Sequence, residues 1–200
     1  MCNLTLFFRL IIQDFYKFYV KGQNASGHST TRPSYAYILK HCGAQCFNVF
    51  LTFFVTLTLF PAILSTINQS GSTFSEKYFT PVFCFLNFNL FAMIGNLLPN
   101  YFIYPKPKYL WVPVCLRLLF IPFFLFCNFK PNTYGVYFAN DWFFIIGTLL
   151  MGLTHGHLSS LGMMYASKTV EEQHSPIAGM LSAFCLICGI SAGVLASIVF

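Results

Sequence analysis

From Ala44 onward the chain alternates long stretches of apolar side chains with short clusters of polar and charged ones. Five apolar runs stand out, approximately Ala44 to Ile67, Tyr78 to Tyr104, Tyr109 to Phe129, Trp142 to Ser167 and Pro176 to Phe200. Each holds the ~20 residues that a helix rising ~1.5 Å per residue needs to cross a hydrocarbon layer ~30 Å thick. Lipid offers no water to backbone amides, so a run of this kind closes its hydrogen bonds within a helix or a closed barrel. A barrel strand needs period-two alternation over ~10 residues, and Phe50 to Phe60 shows none. The pattern predicts an all-α, polytopic membrane protein with five transmembrane helices.

Composition points the same way. With 56% hydrophobic residues, 8% charged residues and a mean hydropathy of +0.66, a water-soluble fold would lack the polar groups to cover its surface. The net charge of +6 raises the question of nucleic acid, but the cations stand singly at the ends of runs and form no basic stripe, so no nucleic-acid partner is expected. They report orientation instead. Lys17, Lys21, Arg32 and Lys40 precede the first run, Lys106 and Lys108 separate the second from the third, and Lys168 separates the fourth from the fifth. The alternate connections carry Lys77, beside Glu76, and Lys130. The positive-inside rule therefore puts the N-terminal side in the cytoplasm and the C-terminus outside. Of the sequons at Asn3, Asn24 and Asn68, only Asn68 then faces outward.

Residues 1–43 read differently. Leu4 to Ile12 is apolar but too short to span and carries Arg9, while the stretch after it has no signal-peptide cleavage pattern. Residues 1–20 are read as the end of a preceding span. The turn-rich stretch within 21–43 is read as a cytoplasmic linker, with Tyr35 to Lys40 able to start a helix at the membrane surface.

Several residues inside the runs invite chemistry. Asn89, Asn96 and Asn100 share one stripe of the second run with Ala92, and buried carboxamides either bridge helices or meet a polar solute. Arg117 lies about eight residues into the third run, ~12 Å deep, where a cation is costly and normally has a partner. The runs contain no carboxylate to supply one. Arg117 must therefore snorkel and bond backbone carbonyls, or meet a partner outside this chain. His155 and His157 sit two apart on a helix and point ~200° away from each other, so they cannot chelate together. One of them facing a polar pathway, or a histidine bonded between helices, are the readings open. Gly152, Gly156 and Ser160 recur every fourth residue, as do Gly189, Gly193 and Ser197, which lets helix backbones approach closely. Pro61, Pro81, Pro99, Pro113 and Pro122 bend or end spans. Neither metal-ligand spacing nor a Ser-His-acid arrangement or phosphate loop is present, so no metal, cofactor or enzymatic activity is expected. Cysteines inside the runs are read as packed thiols.

The order of motifs resembles the equilibrative nucleoside transporters. Arg117-Leu-Leu-Phe120-Ile-Pro122 followed by Cys127-Asn128-Phe-Lys-Pro131 is similar to that family's ninth span and the loop after it. Phe60-Pro61 resembles the end of the seventh span, and Tyr78-Phe-Thr-Pro81 with Phe88-Asn89 and Gly95 the eighth. Thr154-His-Gly156-His-Leu158 is similar to the tenth, and Ala178-Gly179 through Gly189 and Gly193 to the eleventh. The resemblance covers about residues 33–200, with residues 10–20 resembling the end of the sixth span. It implies that 44–200 is a five-helix half-domain, the C-terminal half of a major-facilitator-like transporter, whose partners are nucleosides such as uridine or adenosine, the bilayer, and an N-terminal half or partner chain. It also implies a plasma-membrane location. The family's Phe-Asn-x-x-Asp-x-x-Gly-Arg puts Asp and Arg on the cavity; here those positions are Ala92 and Asn96, and a familiar Asn-Gly-Tyr is replaced by His155-Gly156-His157.

Without a midplane carboxylate, transport is expected to be facilitative and uncoupled, by alternating access. The expected substrate-binding residues are Asn89, Asn96 and His155, and the expected structural or gating residues are Arg117, Pro122, Gly156, Gly189 and Gly193. The alternative is a truncated or degenerate membrane protein with no transport of its own.

Overall fold

The computed structural model describes residues 35–67, 76–127 and 140–198. The expected end of a preceding span, the start of the linker, all three sequons and most of the Cys127 to Pro131 motif lie outside them. Among the described residues the chain is all-α, and five helices are long and apolar enough to cross a membrane: α1 (Ala36–Thr66), α2 (Lys77–Asn100), α3 (Pro107–Leu125), α4 (Asp141–Lys168) and α5 (Glu172–Ser197). Five spans thus stand where five apolar runs were read.

The boundaries shift for local reasons. Helix begins at Tyr35 and passes through Gly43 without a break, because nothing from Tyr35 to Gly43 interrupts the i to i−4 ladder. Phe60 and Pro61 interrupt α1 before it resumes at Ala62, since proline has no N–H to donate and its ring crowds the preceding turn. In α2 the stretch Thr80–Leu86, containing Pro81, winds as a π-helix, and Leu98–Asn100, containing Pro99, tightens to a 3-10 turn that ends the span. Tyr101 to Tyr104, assigned to the second run on hydropathy, is not helical. In α3 a 3-10 turn at Arg117–Leu119 lies between Pro113 and Pro122. The longest uninterrupted helix is α4, opened by Asn140, whose side chain accepts a hydrogen bond from the Trp142 N–H at 3.1 Å.

Packing follows the small residues. A Cβ on Gly152 would stand 2.6 Å from Phe88 O, and one on Gly95 or Gly156 would run into the backbone of the facing helix at Leu153 or Ala92. These glycines make the α2–α4 seam. Gly189 and Gly193 make the second seam, where a Cβ would lie 2.5 Å from Phe50 O and 2.7 Å from Phe54 O, so α5 lies along α1. In lipid, where apolar surface gains little by leaving the solvent, this close approach supplies the dispersion contacts that hold helices together. Helices α1 and α4 also pack on each other, and α3 lies against both.

Candidate functional site

The interior polar cluster starts from Arg117, at 2% exposure the largest fully buried side chain described. It reaches no carboxylate among the described residues. Its Nη1 donates to Met151 O at 3.1 Å and to Thr154 Oγ1, and its Nη2 donates to Thr56 Oγ1 at 2.8 Å. The guanidinium plane lies 5.9 Å from the Phe120 ring. Each threonine hydroxyl also donates to the carbonyl four residues back in its own helix, Thr56 to Thr52 O and Thr154 to Leu150 O. One cation thus ties α3 to α1 and α4. Arg117 bonds a backbone carbonyl, as one reading of it required, and does so while enclosed by the helices. Pro122 lies in the helical stretch that follows, Phe120–Leu125.

The two histidines diverge as their spacing demands. His155 is half-buried, with Nδ1 3.0 Å from Thr56 Oγ1 and its ring edge-to-face with Phe53 at 4.9 Å; Phe88 lies 5.9 Å away. His157 turns to the connector after α2, where Nε2 donates to Tyr104 O at 2.6 Å. Tyr165 O–H donates to Pro105 O at 2.9 Å, and Gln45 Nε2 donates to Pro107 O at 2.9 Å. Side chains of α1 and α4 therefore hold the backbone of the short connector that leads into α3. Beside it lies a cavity of ≈ 540 Å³ lined by Phe102, Tyr109, Pro113, Leu153 and His157 among others. The sequence reading missed this arrangement of Gln45, His157 and Tyr165, because its acceptors are main-chain carbonyls that leave no trace in residue types.

The carboxamide stripe of α2 divides. Phe88, Ala92, Gly95 and Pro99 are buried and form the seam with α4. Ala92, at 9% exposure, belongs to that seam. At ~100° per residue, Asn89 and Asn96 fall on the flank next to the seam, the same flank as Phe85, whose ring meets Phe60 of α1 at 5.5 Å. Both are exposed. Asn89 Nδ2 donates to Phe85 O of its own helix at 2.8 Å, and Asn96 Oδ1 accepts from Ser160 Oγ of α4 at 2.9 Å. Asn87, on the opposite flank, donates to Ile145 O at 3.0 Å and ties α2 to α4. On the side of α2 toward α1, Asn89 and Asn96 are exposed, Phe60 of α1 meets Phe85 and Phe88, and His155 of α4 meets Phe53 and Phe88. Carboxamides beside aromatic rings can hydrogen-bond and stack a flat polar solute.

Comparison with known proteins supplies the frame for this face. A family model described as "Nucleoside transporter" matches residues 5–200. Human equilibrative nucleoside transporter 1 is 36% identical over 90% of this chain, and human equilibrative nucleoside transporter 2 is 36% identical over 75% of it. The Arabidopsis thaliana protein named equilibrative nucleotide transporter 1 is 30% identical over 74%. The matched segment spans 41%, 34% and 31% of those three relatives respectively, so the chain corresponds to well under half of each. The helical architecture, the five spans and the match along nearly the whole sequence lead to one assignment: this integral membrane chain belongs to the nucleoside transporter family.

Proposed function

We propose that this chain supplies the C-terminal half of a facilitative nucleoside transporter, working by alternating access and without a coupling ion. The observation that carries the reading is the side of α2 toward α1, where Asn89 and Asn96 are exposed on the flank of Phe85, Phe60 meets Phe85 and Phe88, and His155 meets Phe53 and Phe88. A nucleoside needs such a mixture: hydrogen-bonding groups for ribose and base edges, and apolar rings for the base plane. In transporters built from two related halves the solute binds near the midplane between them, and each half rocks against the other. A face that the five helices leave open fits that arrangement, with the opposing half as its cover.

Arg117, Gly156, Gly189 and Gly193 serve in this reading as fixed structure: they keep α1 to α5 together as one moving body, and Pro122 keeps α3 bent. By the positive-inside rule Lys106, Lys108 and Lys168 favour a cytoplasmic side for the α2–α3 and α4–α5 connectors and an outer C-terminus, and the plasma membrane is the proposed location. The 21–43 segment is proposed as the linker from the preceding half, its last residues helical.

Uptake of labelled uridine and adenosine into vesicles tests the function. Vesicles with the full-length transporter are expected to show saturable uptake that is insensitive to proton and sodium gradients. Vesicles with these 200 residues alone are expected to match empty vesicles. Saturable uptake by this chain alone, without self-association, would overturn the division of labour, and absence of uptake by the full-length protein would favour a degenerate, non-transporting membrane protein.

A further inference from the structure

Three contacts meet at Thr56 Oγ1: Arg117 Nη2 at 2.8 Å, Thr52 O at 2.8 Å and His155 Nδ1 at 3.0 Å. A threonine hydroxyl has one hydrogen to donate and two lone pairs with which to accept, a guanidinium can only donate, and a carbonyl can only accept. Arg117 therefore takes one lone pair of Thr56. The hydroxyl hydrogen goes to Thr52 O, for otherwise two oxygens would face each other at 2.8 Å with no hydrogen between them. What remains toward His155 is the second lone pair, so Nδ1 must carry the hydrogen. A neutral imidazole has one N–H, and with it on Nδ1 the far nitrogen, Nε2, is a bare acceptor. Nε2 makes no hydrogen bond among the described residues and is not among their sealed, partnerless polar atoms.

We propose that His155 is the specificity-determining acceptor of this half, with Thr56 as its positioning residue: a nucleoside N–H or O–H is selected at Nε2, and a carbonyl or ring-nitrogen acceptor is rejected there. The proposal rests on the α1–α2 face being the solute face. It goes further in naming the polarity of one contact and the hydrogen-bond relay that sets it. An acceptor placed against Nε2 leaves two lone pairs opposed in a dehydrated site, and the wrong partner is penalised more than the right one is rewarded. Phe53, edge-to-face with the ring, restricts its rotation, so the imidazole cannot readily turn to present its N–H instead.

Competition for adenosine uptake by the full-length transporter tests it, using purine riboside, which lacks the exocyclic amino group, and 2′-, 3′- and 5′-deoxyadenosine, each lacking one hydroxyl. The analogue that loses the donor read by His155 should compete roughly five- to hundred-fold more weakly than adenosine, and which analogue it is tells base from ribose. That one penalty should fall below about two-fold in His155→Phe, with the penalties for the other analogues kept. Thr56→Val should shrink the same penalty, and Thr56→Ser, which keeps the hydroxyl, should restore it; loss of packing alone would weaken all analogues together. If every penalty survives His155→Phe, or Thr56→Val leaves the selected penalty at its original size, the assignment is wrong. Nitrogen-15 spectra of histidine-labelled protein, assigned by the signal lost in His155→Asn, read the tautomer without any transport: a protonated Nδ1 and bare Nε2 are expected, and a hydrogen on Nε2 overturns the relay. Should the full-length protein show no nucleoside uptake, the solute half of the proposal falls with the reading it rests on, while the spectrum still decides the tautomer.

Discussion

Helices α2 and α4 lie against each other along one glycine seam, yet they occupy opposite situations. Over their most apolar stretches α4 is 56% buried inside the helix group and α2 is 17% buried, although α2 is the more hydrophobic of the two, at 1.6 against 1.2 in mean hydropathy. In water the ranking would run the other way. In lipid, hydrophobicity does not draw a helix inward, and what does is the capacity to pack closely and to satisfy polar atoms. Helix α4 has glycines at 147, 152, 156 and 162 facing different neighbours, and Thr148, Ser159 and Thr154 bond to backbone carbonyls of their own helix. Helix α2 has one such face. Two of its carboxamides, Asn89 and Asn96, stand exposed on the flank toward α1.

The contrast can be broken at the seam. Gly156→Ala puts a methyl group against Ala92 O and the Asn96 N–H, main-chain atoms that cannot turn aside. It is expected to cost about 3 kcal/mol or more. Thermal unfolding in detergent should show it as the largest loss of the set; an unchanged midpoint would mean that α2 and α4 are not in contact there.

Next in size is the polar interior. Arg117→Ala empties a fully enclosed site and removes three hydrogen bonds, an expected loss of about 2 to 3 kcal/mol. Arg117→Met refills the volume and leaves the threonine hydroxyls on their own-helix carbonyls, so most of that loss should return. If methionine is as damaging as alanine, the hydrogen bonds of the guanidinium, and not the volume it fills, hold the three helices together.

The two flanks of α2 sharpen the comparison further. Asn96→Leu should raise the half-saturation concentration for nucleoside uptake roughly five-fold to more than a hundred-fold, the effect of leaving a solute group unpaired by ~1 to 3 kcal/mol, beside the stability lost with its bond from Ser160 Oγ. Asn87→Leu should lose ~1 kcal/mol of stability with its bond to Ile145 O and leave half-saturation nearly unchanged. Equal effects of the two on uptake would make the stripe mere packing. Smallest of all is Gly179→Ala on α5, where a Cβ would meet only Ser167 Oγ at an ordinary 3.5 Å. There the gain in helix propensity should stabilise by up to about 1 kcal/mol.

Particular elements show why some of this was legible beforehand. The spans were visible because a helix must be apolar over its full crossing, a constraint acting on every residue of the run. The glycine seams were visible because close approach demands small residues at fixed spacing. Ala92 was harder: it shares the asparagine stripe by count, but a rotation of tens of degrees separates the seam from the open flank. Asn87 bonds the facing backbone, and Gln45, His157 and Tyr165 find carbonyls of a connector that hydropathy had assigned partly to a helix.

By itself, then, the sequence determined the membrane as solvent, the number of spans, the prolines that interrupt them and the small residues by which they touch, because each follows from neighbours along one helix. Only the tertiary structure decided what Arg117 bonds, which flank Asn89 and Asn96 occupy, and that Thr56 stands between Arg117 and His155. Those depend on bringing residues 56, 117 and 155 from three helices to within hydrogen-bonding distance, and a periodicity within one helix carries no information about the rotation of the next.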